Sequence, residues 1–240
     1  METLVNSSKK IAYFVTGLFF MISLSTLSHA ETNYGELLTI LKKPELNTII
    51  DDAEKVLEKN PDDKSSLKTL GIAYHNLATM GYEHAAKTSV MHLKKANTLY
   101  PDDALILAML GSSTTLQGRY AKDKVTEGKK FTNKGAAMID RAVMQDPDNV
   151  LVRMVRANNS LGLPNMFGRR PHFKKDMLHV EDLINKSPDK FHELLKAQVY
   201  FKLGKAFDSE ENKEKAKSYY KKAFDTAPES KWGIRAKKKL

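Results

Sequence analysis

The 240-residue sequence contains no cysteine, only one tryptophan, and few glycines and prolines, twelve and eight respectively. Without cysteine the chain can form no disulfide, and it lacks the residue at which a bacterial lipoprotein is cleaved and lipidated. The low glycine and proline content argues against disorder, and stretches rich in alanine, leucine, lysine and glutamate favour helix over strand. Because 41% of the residues are hydrophobic, a core held by packing alone is expected.

The sequence also lacks the short motifs that mark common enzyme sites. It contains no GxSxG, HExxH, Walker or GxGxxG pattern. No two histidines lie four residues apart, the spacing with which histidines on a helix bind a metal. Paired acids such as Asp51 and Asp52 fall where carboxylates cap helices. We therefore expect no enzyme activity, no cofactor and no metal.

The first thirty residues have the pattern of a targeting segment. Lys9 and Lys10 precede the apolar stretch 11–27, and the tripeptide Ser-His-Ala then ends at Ala30. This order is typical of a secretory signal peptide, and polar residues within the stretch argue against the alternative, a retained membrane anchor. We predict cleavage after Ala30, which leaves residues 31–240 as a single soluble domain in the periplasm of a Gram-negative bacterium or outside the cell.

Basic residues outnumber acidic ones. The chain carries 39 Lys and Arg against 29 Asp and Glu, a net charge of +10 at pH 7. The excess is concentrated in residues 122–134, 169–175 and 235–239. In a secreted protein this excess favours an acidic partner or an anionic membrane surface over nucleic acid. The alternative is that the lysines only keep the protein soluble.

A proline-containing segment recurs five times. Pro61, Pro101, Pro147, Pro188 and Pro228 are separated by 40, 46, 41 and 40 residues. Apolar residues lie eight and five positions before each proline, on one face of a helix, and a small residue in this pair lets a neighbouring helix approach closely. Proline then ends the helix, and the Asp, Asn or Ser that follows can cap the next one.

A second helical pattern follows three of these prolines. After Pro61 the positions i, i+3, i+4 and i+7 hold Leu67, Leu70, Gly71 and Tyr74. The same positions hold the following residues after Pro101 and Pro188: Leu107, Leu110, Gly111 and Thr114, then Leu194, Ala197, Gln198 and Phe201. Each set lies on one face of an amphipathic helix.

The two patterns together resemble the tetratricopeptide repeat (TPR) superfamily. The resemblance covers residues 50–240, in degenerate repeats longer than the usual length of about 34 residues. It implies an all-α fold, a right-handed α-α superhelix of about four to five helical hairpins, capped by residues 31–60 and 231–240. We place the extra residues in Gly81–Ala86 and Gly118–Gly135, as longer helices or extended turns.

The third repeat departs most from this pattern. Arg153 and Arg156 lie on its first helix, where other repeats carry leucine and glycine. A slip of one residue would bring Val152 and Val155 to the core instead, and the sequence leaves both registers open.

A loop, Leu161–Gly168, replaces the tight turn of this repeat. It places the apolar residues Met166 and Phe167 beside the cations Arg169 and Arg170. Two interpretations remain: the loop is a docking site for a partner or for anionic lipid headgroups, or its apolar side chains fill a gap left by the irregular repeat.

The resemblance further implies that the first helices of the hairpins line a concave wall suited to a peptide or a partner's helix. Wall residues carried over by position are Lys68, Ile72, His75, Asn76, Ser112, Thr115, His192 and Lys202, with Ser65, Leu105, Ala108, Leu116 and Leu195 beside them. For the third repeat we add Arg153 and Arg156.

We therefore predict a periplasmic adaptor that binds a peptide segment or a partner protein. The bound segment is expected to carry both acidic and apolar residues. The alternative is a small-molecule or lipid-binding accessory of a transport system. Its pocket would lie between the second repeat and the third-repeat loop, and a closed apolar cavity would favour it.

Overall fold

A computed structural model of the chain describes residues 33–121 and 125–240, and every regular element in this part is a helix. The predicted signal peptide, residues 1–30, lies outside the described residues. The α-helices of the described part are α1 (Tyr34–Leu37), α2 (Lys43–Lys59), α3 (Lys64–Thr79), α4 (Glu83–Leu99), α5 (Ala104–Tyr120), α6 (Val125–Gln145), α7 (Val150–Gly162), α8 (Arg170–Lys186), α9 (Glu193–Ser209), α10 (Lys213–Thr226) and α11 (Lys231–Lys237).

All five prolines of the repeated segment lie between α-helices, and Pro188 begins a short 3₁₀ helix, Pro188–Lys190. Pro61 separates α2 from α3, Pro101 separates α4 from α5, and Pro147 separates α6 from α7. Pro188 and Pro228 separate α8 from α9 and α10 from α11. Proline cannot donate the backbone hydrogen bond that would continue a helix, so each one ends a helical unit where the sequence predicts it.

The residues after these prolines cap the next helix. Asp63, Asp103, Asn149 and Ser230 each accept a hydrogen bond from the backbone N–H three positions later, at 2.7–3.1 Å. Such caps satisfy an N–H group that the first helical turn leaves without a partner. After Pro188 the cap is a different residue type, because α9 begins behind His192, whose Nδ1 accepts from the backbone.

The helices form four successive hairpins, α3–α4, α5–α6, α7–α8 and α9–α10. Helix α2 packs against α3, and α11 packs against α9 and α10. The all-α array of hairpins predicted from the sequence is confirmed. The turn Met80–Tyr82 between α3 and α4 is short, so the extra residues of this repeat lengthen its helices. The connection Leu163–Arg169 between α7 and α8 is extended and contains a 3₁₀ turn, Asn165–Phe167.

The buried positions repeat with the prolines. The residues eight positions before each proline are all buried: Ala53, Leu93, Ile139, Val180 and Tyr220. The first part of the core is aliphatic, and the part formed by α7–α11 is rich in aromatic side chains. The two halves of the array therefore differ in the kind of side chain that fills their core, although the prolines recur in the same way in both.

In the third repeat, the residue pairs that the two open registers would bring to the core are both buried. Val152 and Val155 are buried in the first part of the core. Arg153 and Arg156 are also buried, each 8% exposed, because they meet the fully buried carboxylate of Asp176 on α8. The helix therefore has apolar contacts on one side and an ionic contact on the other.

Helices α5 and α6 approach each other through glycine. A Cβ atom on Gly135 would lie 2.3 Å from the carbonyl oxygen of Gly111, and one on Gly118 would lie 2.7 Å from that of Gly128. No side chain fits at those distances, so glycine sets the separation of the two helices. This close contact positions the C-terminal end of α5, which lines the cleft described below.

Candidate functional site

The first helices of the hairpins, α3, α5, α7 and α9, share one surface, which we call the inner wall. Helix α5 contacts both α3 and α7. Helix α9 reaches α7 through a hydrogen bond from Lys202 Nζ to Asn158 Oδ1. The inner wall is therefore a continuous surface built from residues far apart in the chain.

A cleft of about 600 Å³ lies on this wall, where the C-terminal ends of α3, α5 and α7 meet the start of α6 and the α7–α8 connection. Its size is that of a typical ligand site. It is open to solvent, since Met166 and other residues at its edge are exposed. The side chains that line it include His75, Thr79, Ser112, Thr115, Leu116, Arg119, Val125, Lys129, Thr132, Asn158, Asn159, Met166 and Phe167.

The charge of the cleft has one sign. No carboxylate is among the described residues that line it, whereas Arg119 and Lys129 contribute a guanidinium and an ammonium group. Both side chains are exposed, and neither forms an ion pair with another described residue. Unpaired cations beside apolar surface attract anionic groups.

A chain of hydrogen bonds holds His75 at one end of the cleft. Ser89 Oγ donates to the carbonyl oxygen of Gly71 at 2.6 Å, so the hydroxyl of Ser113, 2.7 Å away, donates to Ser89. His75 Nδ1, 3.0 Å from Ser113 Oγ, must then carry the proton and donate, which leaves Nε2 as an acceptor. Burial, reinforced by the charge of Arg119, lowers the pKa of His75 to about 4, so the ring is neutral near pH 7.

An amide with an unused acceptor lies near the centre of the cleft. Thr115 Oγ1 donates to the Ser112 carbonyl at 2.7 Å and accepts from Asn159 Nδ2 at 2.6 Å. Asn159 Oδ1 is buried and has no hydrogen-bond partner in the structure. A buried acceptor without a donor costs stability.

Comparisons with known proteins bear on this arrangement. Residues 197–230, which cover most of α9 and all of α10, match the tetratricopeptide repeat family. The whole fold is similar to the crystal structure of a thermophilic TPR protein from Thermus thermophilus, with a TM-score of 0.64 and 16% sequence identity. That similarity covers 81% of this chain and 90% of the other. The fold is that of a TPR protein. The sequence matches no curated protein.

TPR arrays serve in general as scaffolds that bind other proteins, because stacked hairpins form an extended surface. The TPR fold here brings five of the predicted site residues into one cleft, where they share a solvent-open surface. They are His75, Ser112, Thr115, Met166 and Phe167. Leu116, one of the neighbouring wall positions, lies there as well.

Other predicted wall residues on α3 have partners within the chain. Lys68 is 8% exposed and donates to Asp103 Oδ2 at 2.6 Å. Asn76 is 3% exposed and donates from Nδ2 to the carbonyl oxygen of Leu37 at 2.7 Å. Ile72 is fully buried, so its predicted place on the surface of the wall is wrong: it faces the core because α3 is packed on more than one side.

The arginines predicted for the wall in the third repeat form a buried ionic cluster. Arg153 NH1 donates to Asp176 Oδ1 at 2.9 Å, and Arg156 donates to both carboxylate oxygens at 2.6 and 2.7 Å. The hydrogen bonds that Arg156 donates to Asp176 raise the pKa of this guanidinium, so Arg156 stays charged. These arginines are therefore not free cations on the inner wall.

The cations predicted for loop docking separate in the structure. Arg169 donates from both terminal nitrogens to the two oxygens of Asp140, each at 2.6 Å, and so ties the α7–α8 connection to α6. Burial alone would raise the pKa of Asp140, but hydrogen bonds from Arg169 and the nearby positive charges outweigh it and lower this pKa. Arg170, the first residue of α8, is exposed.

The last repeat contributes a cationic region. Burial, together with the charges of Lys205, Lys231 and Arg235, lowers the pKa of Lys202 to about 8. Among the described residues no carboxylate forms an ion pair with Lys202. His192, the remaining predicted wall residue, is exposed at the start of α9.

Sequence reasoning missed several residues of the site. Arg119 was overlooked, and Lys129 was noticed only as part of a basic stretch. Asp176 and Asp140 were missed as well, although two cations on the buried side of a helix require acidic partners. Within residues 33–121 and 125–240, no three His, Asp or Glu side chains are placed to hold a metal ion. No helix in those ranges combines the length and hydrophobicity needed to cross a membrane.

Proposed function

We propose that this TPR array is an adaptor that binds a peptide segment of a partner protein in the cleft of the inner wall, and that the segment is acidic and apolar. The observation that carries the proposal is the composition of the cleft. Arg119 and Lys129 are unpaired cations with no carboxylate near them in the described lining, and Met166, Phe167 and Leu116 supply apolar contact.

The cleft can also position a peptide backbone. Asn159 Oδ1 is an acceptor without a partner, and neutral His75 retains Nε2 as a second acceptor. Nε2 of His75 suits a backbone N–H group, which every peptide offers whatever its side chains. Asn159 Oδ1 is buried and becomes available to a peptide only when its side chain turns toward the cleft. Charge would then select the partner, and the polar groups would hold its main chain.

The proposed site of action is the periplasm or the extracellular space. The only support for this location is the signal peptide predicted from the sequence. Residues 1–30 lie outside the described part of the chain. Contact of the basic C-terminal residues with an anionic membrane likewise stays a prediction.

The test is a capture experiment with charge-reversed variants. The Arg119→Glu/Lys129→Glu double variant reverses the two cleft cations, neither of which forms an ion pair within the described part of the chain. The control, Lys87→Glu/Lys94→Glu, reverses two exposed lysines of α4 that form no ion pair with another described residue, and it changes the net charge equally. From a periplasmic extract, we expect the wild type and the control to retain the same proteins and the cleft variant to lose them. Retention of one set by all three proteins would contradict the proposal.

A second candidate is binding of a small molecule with an anionic group. The observation in its favour is the volume of about 600 Å³, which lies within the range of small-molecule sites. Against it, the cleft is open and partly polar rather than a closed apolar cavity. Native mass spectrometry separates the two: a bound species of a few hundred daltons on the purified wild type, absent from the Arg119→Glu/Lys129→Glu variant, would favour the small molecule.

A further inference from the structure

The chain covers part of its own inner wall. The segment Asn33–Leu41, which we call the inner segment, contains α1 and the residues that follow it. We propose that the inner segment is a replaceable internal ligand of the wall. We further propose that the external ligand that displaces it is a peptide with the same chemistry, a tyrosine followed three positions later by leucine. The second statement rests on the adaptor function proposed above.

The inner segment makes ligand-like contacts with α3. Its Leu37 is 4% exposed, and the Leu37 carbonyl oxygen accepts a buried hydrogen bond from Asn76 Nδ2. Tyr34 contributes its hydroxyl, 3.1 Å from Ser65 Oγ, and its ring, whose centroid lies 4.6 Å from Lys68 Nζ. These α3 residues are three of the positions that the TPR resemblance assigns to partner binding.

The inner segment also reaches helices beyond α3. A Cβ atom on Gly35 would lie 3.5 Å from Leu151 Cδ2 on α7. Lys231 Nζ on α11 donates to the Thr39 carbonyl oxygen at 3.4 Å, across 192 residues of sequence. A segment that touches α3, α7 and α11 crosses the inner wall instead of forming another layer of the stack.

The hairpins pack against one another through their own helices, and the inner segment adds Leu37 to that core. Helix α1 has four residues, too few to be stable alone. Helix α2 begins independently of it, with Pro44 in its first turn. Exposed residues, among them Leu41 and Lys42, separate the two helices. The inner segment can therefore leave the wall while the hairpin array stays folded.

The contacts define the chemistry of the displacing peptide. A ring with a hydroxyl group meets a serine and a lysine, and leucine three positions later fills a closed apolar site. Between them Glu36 is exposed, so this position tolerates other residues. A partner segment with tyrosine and leucine at this spacing would reproduce each contact that the inner segment makes on α3.

The first test measures hydrogen exchange in the unaltered full chain. Amides of Leu37, Leu38 and Thr39 form hydrogen bonds within the inner segment. We expect them to exchange at least about 100-fold faster than buried amides of α5, through local opening. Exchange at the same rate as α5, only through global unfolding, would show that the inner segment is an integral part of the fold and would overturn the proposal.

The second test adds the ligand in trans. The probe is a fluorescein-labelled peptide, NYGELLTIL, the sequence of residues 33–41. Full-length Tyr34→Ala/Leu37→Ala protein should bind it at least about tenfold more tightly than the wild type, whose site is occupied. A control peptide with alanine at both positions should not bind. Equal affinity of the two proteins for the probe, or none in either, would contradict the inference.

A locked variant keeps the test decisive if the double-alanine protein does not fold. Because the chain has no cysteine, Gly35→Cys/Leu151→Cys can form only one disulfide. The oxidised protein should exclude the peptide and the reduced protein should admit it at high concentration; binding to both forms would overturn the proposal. The outcome is independent of the capture experiment. Loss of peptide binding leaves the cleft proposal intact, and failure of capture leaves the internal ligand intact.

Discussion

In the α5–α6 hairpin the two helices touch through glycine, whereas the α7–α8 hairpin joins its helices through buried charge. The Cβ positions of Gly111 and Gly135 point at each other's backbone, with no space between. In the next hairpin, Asp176 is fully buried between Arg153 and Arg156. Both hairpins lie in one array and between equivalent prolines. Helices of equivalent hairpins can therefore be joined either by a glycine contact or by a buried ion pair. We expect these two kinds of contact to respond differently to pH and to substitution.

The largest effect is expected at Asp176. Asp176→Ala would leave two buried guanidinium groups without their shared carboxylate, and losing one partner of a buried ion pair costs about 3–5 kcal/mol. Urea denaturation should show this loss in the free energy of unfolding. The control is Asp182→Ala on the same helix. The pair of Asp182 with Lys186 is exposed, so its loss should leave the free energy of unfolding almost unchanged. If both variants have similar stability, the ionic description of this hairpin is wrong.

The next effect concerns the glycine contact. Gly135→Ala would place a methyl group 2.3 Å from the Gly111 carbonyl oxygen, which cannot move independently of α5. We expect a loss of about 3 kcal/mol, at the upper end of the cost of overpacking, measured by thermal and urea unfolding. Gly162→Ala is the matched control, because the nearest atom to its Cβ is a side-chain nitrogen of Arg119 at 4.0 Å. Equal stability of these two variants would break the contrast between the hairpins.

The free energy of unfolding should also depend on pH through His75. The pKa of His75 in the folded protein is about 4, below the ordinary value of 6.5. In the unfolded chain His75 therefore becomes protonated below pH 6.5, whereas in the folded chain it becomes protonated only near pH 4. The stability is highest above the ordinary pKa and falls as the pH drops toward the folded pKa, by about 3 kcal/mol from this residue.

His75→Asn tests this assignment, since asparagine can still donate to Ser113. The plot of unfolding free energy against pH should be flatter for the variant between pH 6.5 and 4. His92 and His172 also have lowered pKa values through burial, so part of the slope should remain. If His75→Asn leaves the slope unchanged, His75 is not a source of the pH dependence of stability.

The smallest effect is expected at Asp140, whose carboxylate is partly exposed. Its pKa is lowered, so the stability that it contributes is present above the ordinary value of 3.8 and is lost as the pH falls below it. Asp140→Asn should cost about 1 kcal/mol. It should also speed hydrogen exchange in the connection Leu163–Arg169, which Arg169 anchors. Asp52→Asn, in an exposed pair with Lys55, should change neither quantity.

Much of the fold could be predicted because its signals are local. Proline ends a helix wherever it stands, and Asp63, Asp103 and Asn149 cap the next helix through contacts only three residues long. The apolar residues eight positions before each proline lie on one helical face and are buried. Such features need no knowledge of the rest of the chain.

The candidate site was less predictable because it depends on contacts between distant elements. Lys68 and Arg156 have the sequence context of wall cations, yet each meets a carboxylate, Asp103 or Asp176, that lies 35 or 20 residues away. Arg119 remained free because no carboxylate of the described residues packs beside it. Charge in the sequence does not reveal whether a partner is present in space.

The sequence alone determined that this chain folds as paired helices with a core repeated at each proline, since periodicity and caps are properties of short stretches. Tertiary structure decided which cations stay unpaired, where the cleft opens, and that residues 33–41 cross the inner wall. Those outcomes depend on how closely neighbouring helices approach, and that distance is set by packing between residues that the chain order keeps far apart.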